Sequence, residues 1–312
     1  MGLGDLGRFF STRSDRADDP VRTRLGQSLE RLGCSEIRWE SAEASVKRGG
    51  TRFNLSVDVL PTSVLEELVA PGSDTRLDLL LADTLGWPID RALLSDFDEV
   101  RPLVSPRVVP PSALSGPDRA MCRRDLFDDL LVAVSVGVSE TAPLVRTSDL
   151  DAWPVDFDEV LRLAVLAERE RWEPERDALD VDGVPGMFAV MDSERLGSSG
   201  YFALDAFEPS DAGVLFALPD RRVLLALRVG PGSGLGGLAS MVQMTLSLEH
   251  EAQKAGGAIG DGIYWKRGAR VERLPSMVIE DGDSRRVELS HGGCMPELLE
   301  ALGSEPPDDD PA

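Results

Sequence analysis

The chain has 312 residues, with 55 Asp and Glu against 33 Lys and Arg and a formal net charge of −22. Its 42% of apolar residues is enough for a packed core, which excludes an intrinsically disordered chain. So negative a field repels phosphate backbones and anionic lipid surfaces, which excludes nucleic acid and membranes as partners of the bulk surface and leaves a protein with a basic surface as the expected one.

In chain order, residues 1–20 are rich in Gly, Asp and Arg and read as a flexible arm. Phe9 and Phe10 are its one apolar spot and form a candidate docking element. Val21, Leu25, Leu29 and Leu32 recur at helical spacing, and Gly33 closes that helix. Glu36–Glu40 and Arg52–Leu60 read as strands. In the second, Phe53, Leu55, Val57 and Val59 alternate with polar residues. Pro61 opens a helix over Thr62–Ala70, which Pro71-Gly72 ends. Leu77–Leu85 reads as a second short helix or buried run, followed by Trp87-Pro88. Residues 101–118 are rich in proline, read as an extended connection, and mark the expected boundary between two sub-domains, 21–115 and 120–290.

Leu130–Val138 reads as a buried strand and Pro143–Arg146 as a short extended piece. Ser148 or Asp149 is the expected cap ahead of a helix over Phe157–Arg171. Met187–Met191 reads as a strand, and Val214–Leu218 and Val223–Val229 as two strands joined tightly. A glycine-rich loop, Gly230–Gly237, leads to a helix from Leu238 to about Lys254. Ile263–Trp265 with Val271–Leu274, and Val278-Ile279 with Arg286–Leu289, read as hairpins. Residues 291–312 read as an acidic disordered tail. The mixture of separate strands and helices predicts an α+β fold.

The catalytic inventory is thin. Histidine, the usual acid/base and metal ligand near neutral pH, occurs only as His250 and His291. Glu249, His250 and Glu251 are adjacent on a predicted helix, where successive side chains diverge by about 100°. Cys34, Cys122 and Cys294 are odd in number, with no Cys-x-x-Cys spacing, which argues against a disulfide framework and a zinc site. Cys34 and Cys122 fall in helix-like stretches. Cys294 lies near His291 and reads as a loop thiol, with a nucleophile as the alternative. The many paired carboxylates read as solvated faces. No catalytic residue, metal ligand or cofactor is therefore assigned.

One motif has a ligand-binding form. Gly232-Ser-Gly-Leu-Gly-Gly237 fits G-x-G-x-x-G between a predicted strand and helix, so Gly232, Gly234 and Gly237 are candidate contacts for an anion or nucleotide. A flexible connector is the competing reading, because no second strand ending in an acid follows about twenty residues on. Trp153, Trp172 and Trp265 either line a groove or plug a sheet edge, and Trp153 is the candidate interaction residue. No apolar run reaches the roughly 20 residues of a membrane span. No basic-then-apolar leader is evident, so a cytoplasmic location is expected.

The segment Arg146-Thr-Ser-Asp-Leu-Asp-Ala-Trp153, the helix that follows it, and Gly213-Val-Leu-Phe-Ala-Leu-Pro-Asp-Arg-Arg-Val-Leu-Leu225 share an order of motifs. In that order, residues 125–275 resemble the YtpQ-like family of uncharacterised bacterial proteins. The resemblance implies an α+β cytoplasmic protein and brings no catalytic residues. The leading expectation is a non-enzymatic acidic protein-interaction or regulatory protein. The alternatives are a nucleotide- or small-anion-binding protein using Gly232–Gly237, and a structural component docked through its N-terminal arm.

Overall fold

A computed structural model describes residues 20–303, apart from 70–71, 115–119, 129, 138, 192–195, 208–210, 231 and 282–283. The expectations for Phe9, Phe10 and the last nine residues of the tail lie outside the described residues. The fold is α+β, and the chain divides into two units. The first runs to Leu103 and includes Thr141–Pro143; the second holds Val104–Glu140 and Leu144 onward.

Unit one begins with α1 (Pro20–Arg31), whose Val21, Leu25 and Leu29 are buried on one face. Gly33, at φ +85°, makes the left-handed turn into β1 (Cys34–Glu40). A meander follows through β2 (Glu43–Arg48) and β3 (Thr51–Ser56), with β2 central. The chain then packs back through α2 (Thr62–Val69) and α3 (Asp74–Thr84). Two expectations change here. Cys34 opens a strand instead of lying in a helix. The alternation expected over Arg52–Leu60 stops at Ser56, because Val57–Val59 turns as a 3-10 helix and leaves Val59 75% exposed. The Leu60 N–H closes that turn on the Val57 carbonyl at 3.2 Å and brings Leu60 into the core. A buried carboxylate ties the helices together: Asp78 of α3 accepts the Ser28 hydroxyl and two Arg31 bonds, from Nε at 2.7 Å and Nη2 at 2.9 Å.

Unit two is built on a six-stranded antiparallel sheet in the order β12-β11-β9-β10-β8-β7. These strands are β7 (Ala178–Asp180), β8 (Met187–Val190), β9 (Val214–Asp220), β10 (Val223–Arg228), β11 (Ile263–Arg267) and β12 (Arg270–Arg273). β9 and β10 are buried nearly end to end, which explains their continuous apolar runs. Phe216, Leu218, Leu224 and Ala226 join one core with Phe188 and Tyr264. Leu215, Ala217, Leu225 and Leu227 join a second core with Met187 and Trp265. Burying a Leu or Phe side chain contributes roughly 1.5–3 kcal/mol.

A second sheet, β4-β6-β5, supplies Val108, Leu130 and Val132 to the first core. Its strands are β4 (Val104–Val109), β5 (Arg123–Phe127) and β6 (Leu130–Val136). α4 (Phe157–Arg171) and a 3-10 turn over Gly197–Ala203 pack on the same side. α5 (Gly234–Ala255) and α6 (Met295–Gly303) fill the second core. A hairpin of β13 (Ser276–Asp281) and β14 (Ser284–Leu289) precedes α6. β10 and β11 both run antiparallel to β9 and so run parallel to each other, with α5 as the crossover.

Several expectations are corrected in this unit. The proline-rich 101–118 contains β4, and the two units divide within that stretch, at Leu103/Val104. Pro106 is tolerated because β4 pairs only with β6 and lies at the sheet edge. The cap of α4 is Asp156, which accepts the Glu159 N–H at 2.9 Å, whereas Asp149 accepts the Arg146 N–H in a separate turn. Cys122 lies between a bridge and a strand, not in a helix. α5 starts at Gly234, inside the glycine run. Residues 295–303 are helical, with Met295, Leu298 and Leu302 buried at helical spacing.

Gly197 lies at a close approach between strands. A Cβ there would sit 2.1 Å from the Arg222 carbonyl oxygen and 2.5 Å from that of Val190. Gly197→Ala is therefore expected to destabilise the protein by about 1–3 kcal/mol or more, read as a lower urea midpoint at constant slope. An unchanged midpoint contradicts this packing.

Candidate functional site

The glycine run serves turn and packing. Gly234, at φ +55°, turns the chain into α5. Gly237 lies against β10, where a Cβ would meet Leu227 at 3.2 Å. Gly232 faces open space. The Ser233 hydroxyl donates to the Arg228 carbonyl and to that of Gly230 at 2.9 Å, so it closes the strand end and does not cap the helix. The strands flanking β10 are both antiparallel to it, unlike the parallel neighbours of a dinucleotide fold. The helix start carries no acidic or basic side chain in its first turn.

The other candidates separate in space. Trp153 is 6% exposed, so it belongs to the interior and cannot anchor a partner on the surface. Trp172 and Trp265 are also buried, their ring N–H groups donating to Glu168 at 2.8 Å and to the Ala212 carbonyl at 3.0 Å. His250 and His291 are exposed. Burial pushes the thiols of Cys34, Cys122 and Cys294 above the ordinary cysteine range, which keeps them protonated and weakly nucleophilic. Among the described residues no group of His, Cys, Asp or Glu is arranged to hold a metal ion.

Two features escaped the sequence reading. The first is Glu168, on the inner face of α4 and fully buried. It accepts the Ser105 hydroxyl at 3.2 Å, the Trp172 ring N–H and the Ser199 hydroxyl, with Arg171 at 3.5 Å. Its bonds join β4, α4 and the 197–203 turn, a structural use of the charge. The signal was Glu168 falling in line with Leu161, Ala164 and Val165. Nearby, burial and Asp205 push the Tyr201 hydroxyl up to about 12.

The second is a cleft of about 580 Å³ in unit one, lined by Leu32, Gly33, Arg48, Gly49, Thr51, Phe53 and Trp87. The Arg48 guanidinium lies 4.4 Å from the Trp87 ring centre, and its Nε donates to the Leu32 carbonyl at 3.0 Å. Phe53 meets Trp87 edge-on at 5.3 Å. The helix end at Leu32, the β2–β3 turn and the Trp87 segment bring these residues together from three stretches of sequence. The only local signal was a cationic, glycine-containing turn, Lys47-Arg-Gly-Gly-Thr-Arg52. Lys47 and Arg52 both pair with Glu36, and Lys47 in particular holds the Glu36 carboxyl below its usual range. Arg48 forms no ion pair among the described residues.

No protein-family model, curated protein or solved structure matches the chain. Its functional reading therefore rests on its own residues.

Glu168→Ala leaves Ser105, Ser199, Trp172 and Arg171 without their shared acceptor. The expected loss is about 3–5 kcal/mol in denaturant unfolding. A loss under about 1 kcal/mol contradicts the structural role. Tyr201 gives a pH prediction. In a Tyr264→Phe chain, whose one remaining tyrosine is Tyr201, the phenolate signal should rise near pH 12 while the fold persists. The unfolded chain ionises this group near pH 10, so its contribution to stability is complete below about 10 and is lost as pH rises toward 12. A native-state midpoint near 10 contradicts the burial.

Proposed function

We propose that this chain is a non-enzymatic, acidic protein-interaction or regulatory protein of the cytoplasm whose partner presents a basic surface. One observation carries the reading. Residues 104–303 hold 33 Asp and Glu against 20 Lys and Arg. Among the described residues of that unit the buried acids are Asp149, Glu168, Asp177 and Glu249. Pairing every base still leaves a surplus of acids larger than those four, so the described surface of the unit carries more acids than bases. Such a surface speeds encounter with a cationic partner and rejects anionic ones.

Two further observations favour binding over chemistry. Glu168 and Asp78 are occupied by internal donors. The thiols are held protonated. No helix among the described residues is long and apolar enough to cross a membrane. The likeness of residues 125–275 to the YtpQ-like family belongs to the same proposal.

The test is affinity capture from the native host at low and high salt, with mass spectrometry of what co-elutes. The expected result is a stoichiometric partner of basic sequence. Its retention should fall as salt rises from about 0.1 M to about 1 M and the screening length shrinks from roughly 10 Å to 3 Å. A partner retained equally at both salts, or none at low salt, overturns the reading.

A further inference from the structure

We propose that the cleft beside Trp87 in unit one binds a small monocarboxylate with an apolar body, its carboxylate held by Arg48. The cleft, of about 580 Å³, is shallow and open to solvent, with Gly33, Gly49 and Thr51 exposed along it, so it takes a small ligand laid against its walls. Its walls divide by chemistry. Leu32, Phe53 and Trp87 offer apolar and aromatic surface, and Arg48 offers the charge.

The geometry of Arg48 sets the ligand class. One part of its guanidinium is fixed by the Trp87 ring and by the Nε bond to the Leu32 carbonyl. Its terminal nitrogens make no hydrogen bond among the described residues. They form a planar fork already held in place, the arrangement that matches a carboxylate. Prior fixing of the side chain lowers the ordering cost of binding.

Charge narrows the class further. The neighbouring cations, Lys47 and Arg52, share the one carboxylate of Glu36 outside the lining, and among the described residues Arg48 is the one charged side chain that lines the cleft. A lining with one guanidinium and three apolar or aromatic side chains suits one anionic group on an apolar body better than a polyanion, which needs a donor for each of its charged groups. A monoanion with an apolar ring or branched chain satisfies both the charge and the walls. The site is independent of the acidic surface of unit two, so either reading stands if the other fails.

The test is calorimetric titration of the full chain with indole-3-acetate, and with its neutral amide as control. The acid should bind saturably at millimolar concentration or below, and the amide roughly tenfold or more weaker, the loss of one charge-assisted contact. Arg48→Gln should weaken the acid by a similar factor without altering the amide. Arg52→Gln, which changes the same ribbon but pairs with Glu36, should bind as the parent does and controls for folding. Equal binding of acid and amide overturns the proposal. So does the absence of saturable binding by either, which leaves Arg48 and Trp87 as a structural clasp only.

Discussion

The constraint on which unit two depends is that β9 and β10 are apolar on both faces. A strand pair with one polar face is complete when a single layer covers it, but this pair is not. Phe216 and Leu218 point to one core, and Leu215 and Ala217 to the other. Both faces must leave water together, so the sheet requires a layer on each side. α5 and α6 meet that requirement on one face. On the other, the small sheet β4-β6-β5, α4 and the 197–203 turn do so. The close approach at Gly197 and the buried Glu168 follow from the second arrangement. Glu168 holds three separate pieces of that layer together through directed bonds, where apolar contact alone leaves their register open.

How far the sequence revealed this depends on how each element is buried. β6, β9 and β10 were legible because both faces are buried and the apolar run is continuous. α1 and α4 were legible from their one-sided spacing. β2 was not, because only Ala44 and Val46 of Glu43–Arg48 face the core. β4 was hidden by Pro106, which an edge strand accommodates and a central strand does not. α6 was hidden by the acidic sequence around it, although Met295, Leu298 and Leu302 keep a helical period. The glycine motif has a local structural account beside its ligand-binding form. Its spacing fits a phosphate loop, yet Gly234 answers to a turn and Gly237 to contact with Leu227.

The cleft of unit one was the least legible feature, for a physical reason. Its lining comes from a helix end, a strand turn and a loop, and no periodicity links Leu32, Arg48 and Trp87. Among the described residues Arg48 has no acid partner, whereas Lys47 and Arg52 of the same ribbon share Glu36. That contrast is a property of the folded arrangement. The acidic surplus, by comparison, was plain from composition alone, and folding adds only that most of it stays outside.

Amide hydrogen exchange on the intact chain tests the two-sided sheet most directly. The amides of β9 and β10 should be the slowest in unit two, with the edge strands β7 and β12 exchanging well before them. Exchange in β9 and β10 as fast as at the edges would contradict the account, because strands buried between two layers cannot open independently of the unit.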